Sequence, residues 1–174
     1  MSRFPTLLTA LSMLSAILTP ALTLDPGVYT ITHTTTDNKT VFLDSEYGHN
    51  EEIQLNRPRK GDNGQLWRVN PESNGAVSLE NVKHQCALQK GTTAFGVPTI
   101  ICSGNDVFNL TRVTFGGSNT YYVDLAYSDE PRRMASDCLF TDDPHTLCYN
   151  ATLTLAKTPL KDGWFTFIAV DQSS

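Results

Sequence analysis

The side chains that could support catalysis are scattered along this chain. The four histidines are isolated and mostly stand in turn-like surroundings: His33, His49, His84 and His145. Three acid pairs are adjacent in sequence, so in a strand their members would face opposite ways: Glu51-Glu52, Asp129-Glu130 and Asp142-Asp143. No zinc-protease, nucleophile-elbow or phosphate-loop motif occurs. We therefore expect that the protein is not an enzyme and has no catalytic residue, metal or cofactor. The alternative is a glycosidase whose two catalytic carboxylates lie far apart in the sequence.

The first 23 residues have the pattern of a secretory signal peptide. Arg3 supplies a positive start, Leu7–Leu18 is an apolar run broken by Thr and Ser, and small residues before Leu24 offer a cleavage site. The run is short for a membrane span, and an uncleaved anchor is the alternative. We expect a secreted, extracellular domain over 24–174, without membrane insertion after cleavage.

Export changes the interpretation of the four cysteines, because an even number in an oxidising compartment favours disulfides. Three pairings are open, and the most local one joins Cys86 to Cys102 and Cys138 to Cys148. Closing a loop of about 15 residues would contribute roughly 3 kcal/mol. A metal site is disfavoured, because the chain has no Cys-x-x-Cys spacing and no histidine near a cysteine pair.

The surface is expected to be acidic and glycosylated. The chain has 13 basic and 18 acidic residues and no basic block, so nucleic acid and anionic membranes are poor partners. Asn-x-Thr motifs begin at Asn38, Asn109 and Asn150, and each predicts a glycan on a solvent-facing residue, with chance occurrence as the alternative.

Short β-branched and aromatic runs alternate with clusters of Gly, Asn, Asp and Pro along the chain, which is typical of strands joined by turns. Strands and their connecting loops must therefore position the polar residues and cysteines described above. The pattern predicts an all-β domain of about twelve strands: Val28–His33, Thr40–Asp44, Glu52–Leu55, Gln65–Asn70, Ala76–Glu80, Gln85–Leu88, Val97–Cys102, Val107–Thr114, Thr120–Ala126, Met134–Phe140, Ala151–Ala156 and Trp164–Val170.

The strands fall into three similar blocks of four, at about 26–70, 75–114 and 119–170. Ile31, Leu79 and Leu125 are 48 and 46 residues apart, and such near-equal periods predict a threefold internal repeat. A hairpin from each block would complete a six-stranded barrel, and a second hairpin would cap it. Each block closes with an aromatic-x-apolar triplet whose bulky residues should meet on the pseudo-threefold axis: Trp67-Arg68-Val69, Phe108-Asn109-Leu110 and Phe165-Thr166-Phe167.

In this arrangement the chain resembles the ricin B-type lectins, a β-trefoil family. The first block carries Leu43-Asp44, Ile53-Gln54-Leu55 and Gln65-Leu66-Trp67, and the second matches the family's disulfide pattern with Cys86-Ala87-Leu88 and Ile100-Ile101-Cys102-Ser103. The resemblance implies a β-trefoil with three pseudo-repeats of four strands. It also implies a secreted, fungal-like eukaryotic protein that binds glycans or glycoproteins without catalysis.

The resemblance further implies a sugar site on the first block. A sugar ring has a face of C–H groups and a rim of hydroxyls, so its site needs an aromatic ring and polar groups. Asp44 matches the family's acid and Gln54 its glutamine, while Asn63 lies one residue from the expected asparagine. Asn56 occupies the stacking position, so Tyr47 would supply the ring from the neighbouring loop.

The other two blocks depart from the family's pattern, with Gln89 and Ile100 in the second and Phe140-Thr141 in the third. The first block also allows a purely structural interpretation. Asp44 would then cap a turn, Gln65 would hydrogen-bond backbone, and Trp67 would lie in the core.

A protease inhibitor of the Kunitz or mushroom type is the alternative function, since those families also look like β-trefoils and inhibit through an exposed loop. Two basic loops fit that role, Arg57-Pro58-Arg59-Lys60-Gly61 and Pro131-Arg132-Arg133, and the spacing of Cys138 and Cys148 is similar to the Kunitz group's short disulfide. The partner would then be a secreted protease. A third possibility is a secreted trefoil with neither activity.

Overall fold

The computed structural model describes residues 24–35, 38–94, 96–114, 117, 119–136, 150–155 and 163–171. The predicted leader, the Cys138–Cys148 pair, His145 and the Asp142-Asp143 pair lie outside these ranges. Within them, no helix is long and apolar enough to cross a membrane.

The described residues form twelve strands, which confirms the all-β prediction. Two short 3-10 turns, Asn63–Gln65 and Ser73–Gly75, accompany them. The strands are β1 Gly27–Thr34, β2 Thr40–Asp44, β3 Gln54–Asn56, β4 Leu66–Pro71, β5 Val77–Asn81, β6 Ala87–Thr92, β7 Pro98–Gly104, β8 Phe108–Arg112, β9 Thr120–Leu125, β10 Arg132–Ser136, β11 Ala151–Leu155 and β12 Trp164–Ala169.

The strand predicted at the start of the second hairpin, β6, differs from its predicted bounds at both ends. The strand predicted at Gln85–Leu88 begins only at Ala87, because Gln85 adopts φ +54° in the preceding turn. It also continues four residues further, to Thr92, through Gly91. A Cβ on Gly91 would lie 2.7 Å from Cγ2 of Ile101, so glycine lets β6 approach β7 closely there.

Six strands pair in a closed ring. The order is β1, β4, β5, β8, β9 and β12, and β12 returns to β1, all with antiparallel neighbours. The other six form three antiparallel hairpins, β2–β3, β6–β7 and β10–β11. The ring leaves none of its six strands with an unpaired edge, which guards against edge-to-edge aggregation.

The strand register corrects one predicted repeat position. Val123, not Leu125, is equivalent to Ile31 and Leu79, so the spacings are 48 and 44 residues. Val123 is fully buried and Leu125 only partly. The sequence pattern missed the difference because a shift of two residues keeps a strand's side chains on the same face. The pairings that set this register are Val69 with Leu79, Leu110 with Val123 and Phe167 with Ile31.

The three closing aromatics, Trp67, Phe108 and Phe165, have no exposed surface and belong to one hydrophobic core cluster. Trp67 also donates its indole N–H to the carbonyl of Leu43 at 2.9 Å. This satisfies its polar atom inside the core, so Trp67 is a core residue and not a platform for a ligand.

The predicted Cys86–Cys102 disulfide is present. It joins the turn before β6 to strand β7, within the second block. A 16-residue separation suggests a contribution of roughly 3 kcal/mol to stability by the chain-entropy model.

Candidate functional site

The loop between β2 and β3 lies along strand β7 of the next block. Asn50 N–H donates to the carbonyl of Cys102 at 2.8 Å, Cys102 N–H donates to that of Glu51 at 3.1 Å, and Ile53 N–H donates to that of Ile100 at 2.9 Å. Since the disulfide fixes the same strand, the loop has a rigid support.

Gly48 brings the tip of this loop against the β5–β6 turn. It is buried with φ +90°, and a Cβ there would lie 2.9 Å from Nδ1 of His84. Only glycine combines that left-handed backbone with that close approach. The neighbouring Tyr47 is left with 64% of its surface exposed.

This loop and the β6–β7 hairpin enclose a space of about 360 Å³, which we name the Tyr47 pocket. Its walls carry one exposed aromatic ring, two amides, two carboxylates and two hydroxyls and, as far as the described residues show, no basic side chain. These groups belong to Tyr47, Asn50, Gln54, Glu51, Glu52, Thr92 and Thr93. Two of the four predicted sugar-site residues, Tyr47 and Gln54, therefore meet in one pocket.

Asp44 lies outside that pocket and has no exposed surface. Its Oδ2 accepts hydrogen bonds from Asn56 Nδ2 at 3.1 Å and Gln65 Nε2 at 3.0 Å, and a closer one from the Arg59 guanidinium. Its Oδ1 is buried with no hydrogen-bond partner among the described residues. In this arrangement Asp44 offers no exposed oxygen to a ligand.

Arg59 is the centre of an ion cluster that covers Asp44. It also pairs with Glu46 at 3.1 Å and with Asp62 at 3.4 Å, and Asp62 in turn pairs with Lys83 at 3.5 Å. Burial opposes the charge on Arg59, but its hydrogen bond to Asp44 and the charges of Asp44 and Glu46 raise its pKa above the ordinary value. The Arg59 guanidinium therefore stays charged beside Asp44, although about a third of its side chain is exposed.

Asp62 is held in its charged form by the turn that precedes β4. The backbone N–H of Gly64 donates to Asp62 Oδ1 at 2.9 Å and lowers the pKa of Asp62 against the opposing effect of burial. Lys83 and Arg59 lower it further. Gln65 locks the same turn, because its side chain donates to the Arg57 carbonyl at 2.8 Å and accepts from the Arg59 N–H at 2.9 Å.

Asn63, the fourth predicted sugar-site residue, is exposed and lines a different pocket. That space, of about 620 Å³, adjoins the basic loop and is lined partly by Phe42, Pro58 and Leu66. The four predicted residues thus divide into one pair that shares a pocket, one buried acid and one residue in a separate pocket. Sequence reasoning missed Asn50, Thr92 and Thr93, because nothing in a single sequence shows that two blocks meet there.

Three of the four arginines in the two predicted inhibitory loops are paired with carboxylates of this chain, whereas Arg57 is exposed. Arg59 belongs to the ion cluster, and Arg132 pairs with Glu130 at 2.5 Å. Arg133 makes two hydrogen bonds to Asp124, at 2.7 and 2.9 Å, and its guanidinium lies 3.8 Å from the centre of the Tyr122 ring. The hydrogen bond to Asp124 raises the pKa of Arg133, although burial opposes it.

The three glycosylation motifs differ in exposure. Asn38 and Asn109 are exposed, as their predicted role requires, whereas Asn150 is half-buried and its backbone bridges that of Gln54. Arg68 is exposed like Asn109, but Thr166 is half-buried, with its hydroxyl 3.0 Å from that of Thr120. Within the described ranges, no group of three or more His, Cys, Asp or Glu side chains is arranged to hold a metal ion.

Solved structures of similar architecture support a ricin B-like β-trefoil fold. The Rhizoctonia solani agglutinin is 17% identical, with a TM-score of 0.65 over 86% of this chain and 99% of its own. The Macrolepiota procera ricin B-like lectin, solved with lactose, is 14% identical, with a TM-score of 0.63 over 84% and 99%. A designed threefold-symmetric protein, ThreeFoil, is 13% identical, with a TM-score of 0.62 over 83% and 99%. No protein-family model and no curated protein sequence matches the chain.

Proposed function

We propose that this chain is a secreted, non-catalytic carbohydrate-binding protein that binds glycans or glycoproteins in the Tyr47 pocket. The observation that carries the proposal is an exposed tyrosine ring beside amides, carboxylates and hydroxyls in one pocket. The lectins among its structural neighbours favour the same class of ligand. The leader pattern and the three glycosylation motifs favour secretion.

The pocket's chemistry suits a sugar ring. Tyr47 offers an apolar face on which the C–H groups of a pyranose can stack. The amides of Asn50 and Gln54 both donate and accept hydrogen bonds, and the carboxylates of Glu51 and Glu52 accept them from sugar hydroxyls. A volume of about 360 Å³ lies in the usual range for small-ligand sites.

Asp44 contributes to this site through its neighbours. Asn56 Nδ2 donates to Asp44 Oδ2 at 3.1 Å and to Gln54 Oε1 at 3.2 Å. The buried acid thereby fixes Asn56, and Asn56 fixes the amide of Gln54, which lines the pocket. We assign Asp44 a positioning role, with Tyr47 and Gln54 as the residues that contact the sugar.

A glycan array tests the proposal with wild-type protein and the Tyr47→Ala and Gln54→Ala variants. We expect the wild type to bind at least one glycan class and both variants to lose most of that signal. Ile168→Ala is the control, because Ile168 is an exposed apolar residue on β12 that does not line the pocket. A wild type that binds no glycan, or a Tyr47→Ala variant that binds as the wild type does, would contradict the proposal.

The protease-inhibitor alternative stays a prediction, because only some of the basic side chains in the two loops are paired. Arg59, Arg132 and Arg133 are already bound to carboxylates of the same chain. An inhibitory loop needs its basic side chain free to enter the pocket of a secreted protease, and these three would first have to break their ion pairs. Arg57 and Lys60, by contrast, are exposed and make no ion pair among the described residues.

A further inference from the structure

The charges that line the Tyr47 pocket are all of one sign. Among the described residues, its charged lining side chains are those of Glu51 and Glu52, and glutamate carboxylates are negative at neutral pH. Lys90, on the adjoining strand β6, lines a different pocket. His49 belongs to the same loop as the two glutamates, but it is exposed and does not line the Tyr47 pocket. The pocket therefore offers a ligand two anionic acceptors and no cation.

The two carboxylates have no counter-charge within the ranges that the structure describes. Neither Glu51 nor Glu52 makes an ion pair or a side-chain hydrogen bond there. Glu46, earlier in the same loop, differs in this respect, because its carboxylate pairs with Arg59 at 3.1 Å. The loop thus has one glutamate that is neutralised internally and two glutamates whose charges remain available to a ligand in the pocket.

The backbone of both glutamates is fixed on strand β7. The carbonyl of Glu51 accepts a hydrogen bond from the N–H of Cys102 at 3.1 Å, and Glu52 forms a backbone bridge with Ile101. The disulfide to Cys86 holds Cys102 in turn. Two like charges on adjacent residues repel each other, and a cation that binds between them would relieve this repulsion.

A ligand that carries an ammonium group gains more in this pocket than a neutral ligand does. Any ligand that fills the pocket displaces water from the two carboxylates, and a neutral hydroxyl replaces the lost hydrogen bonds but not the lost solvation of the charge. An ammonium group replaces both, since hydrogen bonds between charged groups are roughly twice as strong as neutral ones. The exposed Tyr47 ring still provides a face for the C–H groups of a pyranose.

We propose that the Tyr47 pocket selects sugars with a free amine, such as glucosamine units, over neutral and N-acetylated sugars. The pyranose stacks on Tyr47, and its ammonium group binds the carboxylates of Glu51 and Glu52, which determine the specificity. This selectivity rests on the carbohydrate-binding function proposed above and names the class of sugar that the same pocket takes.

The test compares two oligosaccharides that differ only at the nitrogen, the tetramer of glucosamine and the tetramer of N-acetylglucosamine. Calorimetric titration gives the Kd of each at about pH 6, below the pKa of roughly 8 of an α-amino group, which a sugar amine resembles. The variants are Tyr47→Ala and the double variant Glu51→Gln/Glu52→Gln. The matched control is Asp129→Asn/Asp171→Asn, which removes two exposed carboxylates that do not line the pocket. Tetralysine measures attraction to positive charge without a sugar ring.

We expect the wild type to bind the glucosamine tetramer about tenfold more tightly than the N-acetylated tetramer, which corresponds to one hydrogen bond between charged groups. This preference should fall as the salt concentration rises. The double glutamine variant should bind the two tetramers with Kd values within about twofold of each other, whereas the control should keep the preference. Tyr47→Ala should lose both tetramers, and tetralysine should bind the wild type about tenfold more weakly than the glucosamine tetramer does.

Three results would refute the selectivity for amines and leave the proposed function standing. They are a wild type without the preference, a double glutamine variant that keeps it, and a tetralysine that binds as tightly as the glucosamine tetramer. A wild type that binds neither tetramer but binds other glycans on the array would have the same meaning. A wild type that binds no glycan at all would overturn both proposals.

Discussion

Replacing Arg59 with methionine is the most direct test of how the first block is held together. Asp44 has no exposed surface, and its only cationic partner among the described residues is Arg59. The other donors to its carboxylate are the neutral amides of Asn56 and Gln65. Methionine keeps the length and apolar stem of the side chain and removes its charge, so a buried carboxylate is left without a counter-charge.

The expected loss in the free energy of unfolding is about 3–5 kcal/mol, which is typical when one partner of a buried ion pair is removed. For a domain of about 150 residues this corresponds to a fall in Tm of roughly 6–20 °C. The reverse change, Asp44→Asn, should cost less, about 1–2 kcal/mol, because Arg59 keeps Glu46 at 3.1 Å and Asp62 at 3.4 Å and is one-third exposed.

The double variant Arg59→Met/Asp44→Asn should be more stable than Arg59→Met alone, because it removes the uncompensated charge. The assay is urea and thermal unfolding at pH 7, with Arg57→Met as the control for an exposed arginine two residues away. We expect the control to change stability by about 0.5 kcal/mol or less. If Arg59→Met has the same urea midpoint and Tm as the control, or if the double variant is no more stable than Arg59→Met, the argument that Asp44 depends on the Arg59 cation is refuted.

Two further predictions concern the turn before β4 and the loop of the Tyr47 pocket. The Gly64 N–H lowers the pKa of Asp62 below its unfolded value of about 3.9, so Asp62 contributes stability above that value and loses it as the pH falls through its folded pKa. Urea midpoints should therefore fall more steeply for the wild type than for Asp62→Asn between about pH 5 and pH 2, and parallel curves would contradict this. Gly48→Ala should lower stability by about 1 kcal/mol or more, and should weaken glycan binding, because a Cβ at φ +90° would meet the His84 ring. Gly61→Ala is its control, with φ +77° but open space around the Cβ, and equal losses in the two variants would rule out the contact with His84 as the cause.

The positions of most strands can be predicted from the sequence alone, because each strand has its own alternation of side chains and its own flanking turn residues. Alternating side chains and flanking turn residues located β4 and β9 within one or two residues of their ends. The register of the repeat is harder to predict, because Val123 and Leu125 face the same side of β9 and both fit the alternation of apolar and polar residues. The pairing of Leu110 with Val123 and the fuller burial of Val123 distinguish them.

The candidate site was predictable only in part, because its residues are brought together by contacts between distant segments. Asp44 was singled out by its position, but nothing local shows that Arg59 returns to cover it. Thr92 and Thr93 belong to another block, and they reach Tyr47 only because the first block's loop lies along β7.

The pairing of the first and last strands of the ring sets the mechanical behaviour of the molecule. Tyr29 near the start of β1 lies opposite Ala169 at the end of β12, and the two strands run antiparallel. A force that pulls Leu24 away from Asp171 would load the hydrogen bonds between β1 and β12 one after another, beginning at the end nearest these two residues. The unfolding force of the barrel should therefore be small, with β1 and β12 separating first, even if its thermal and denaturant stability is high.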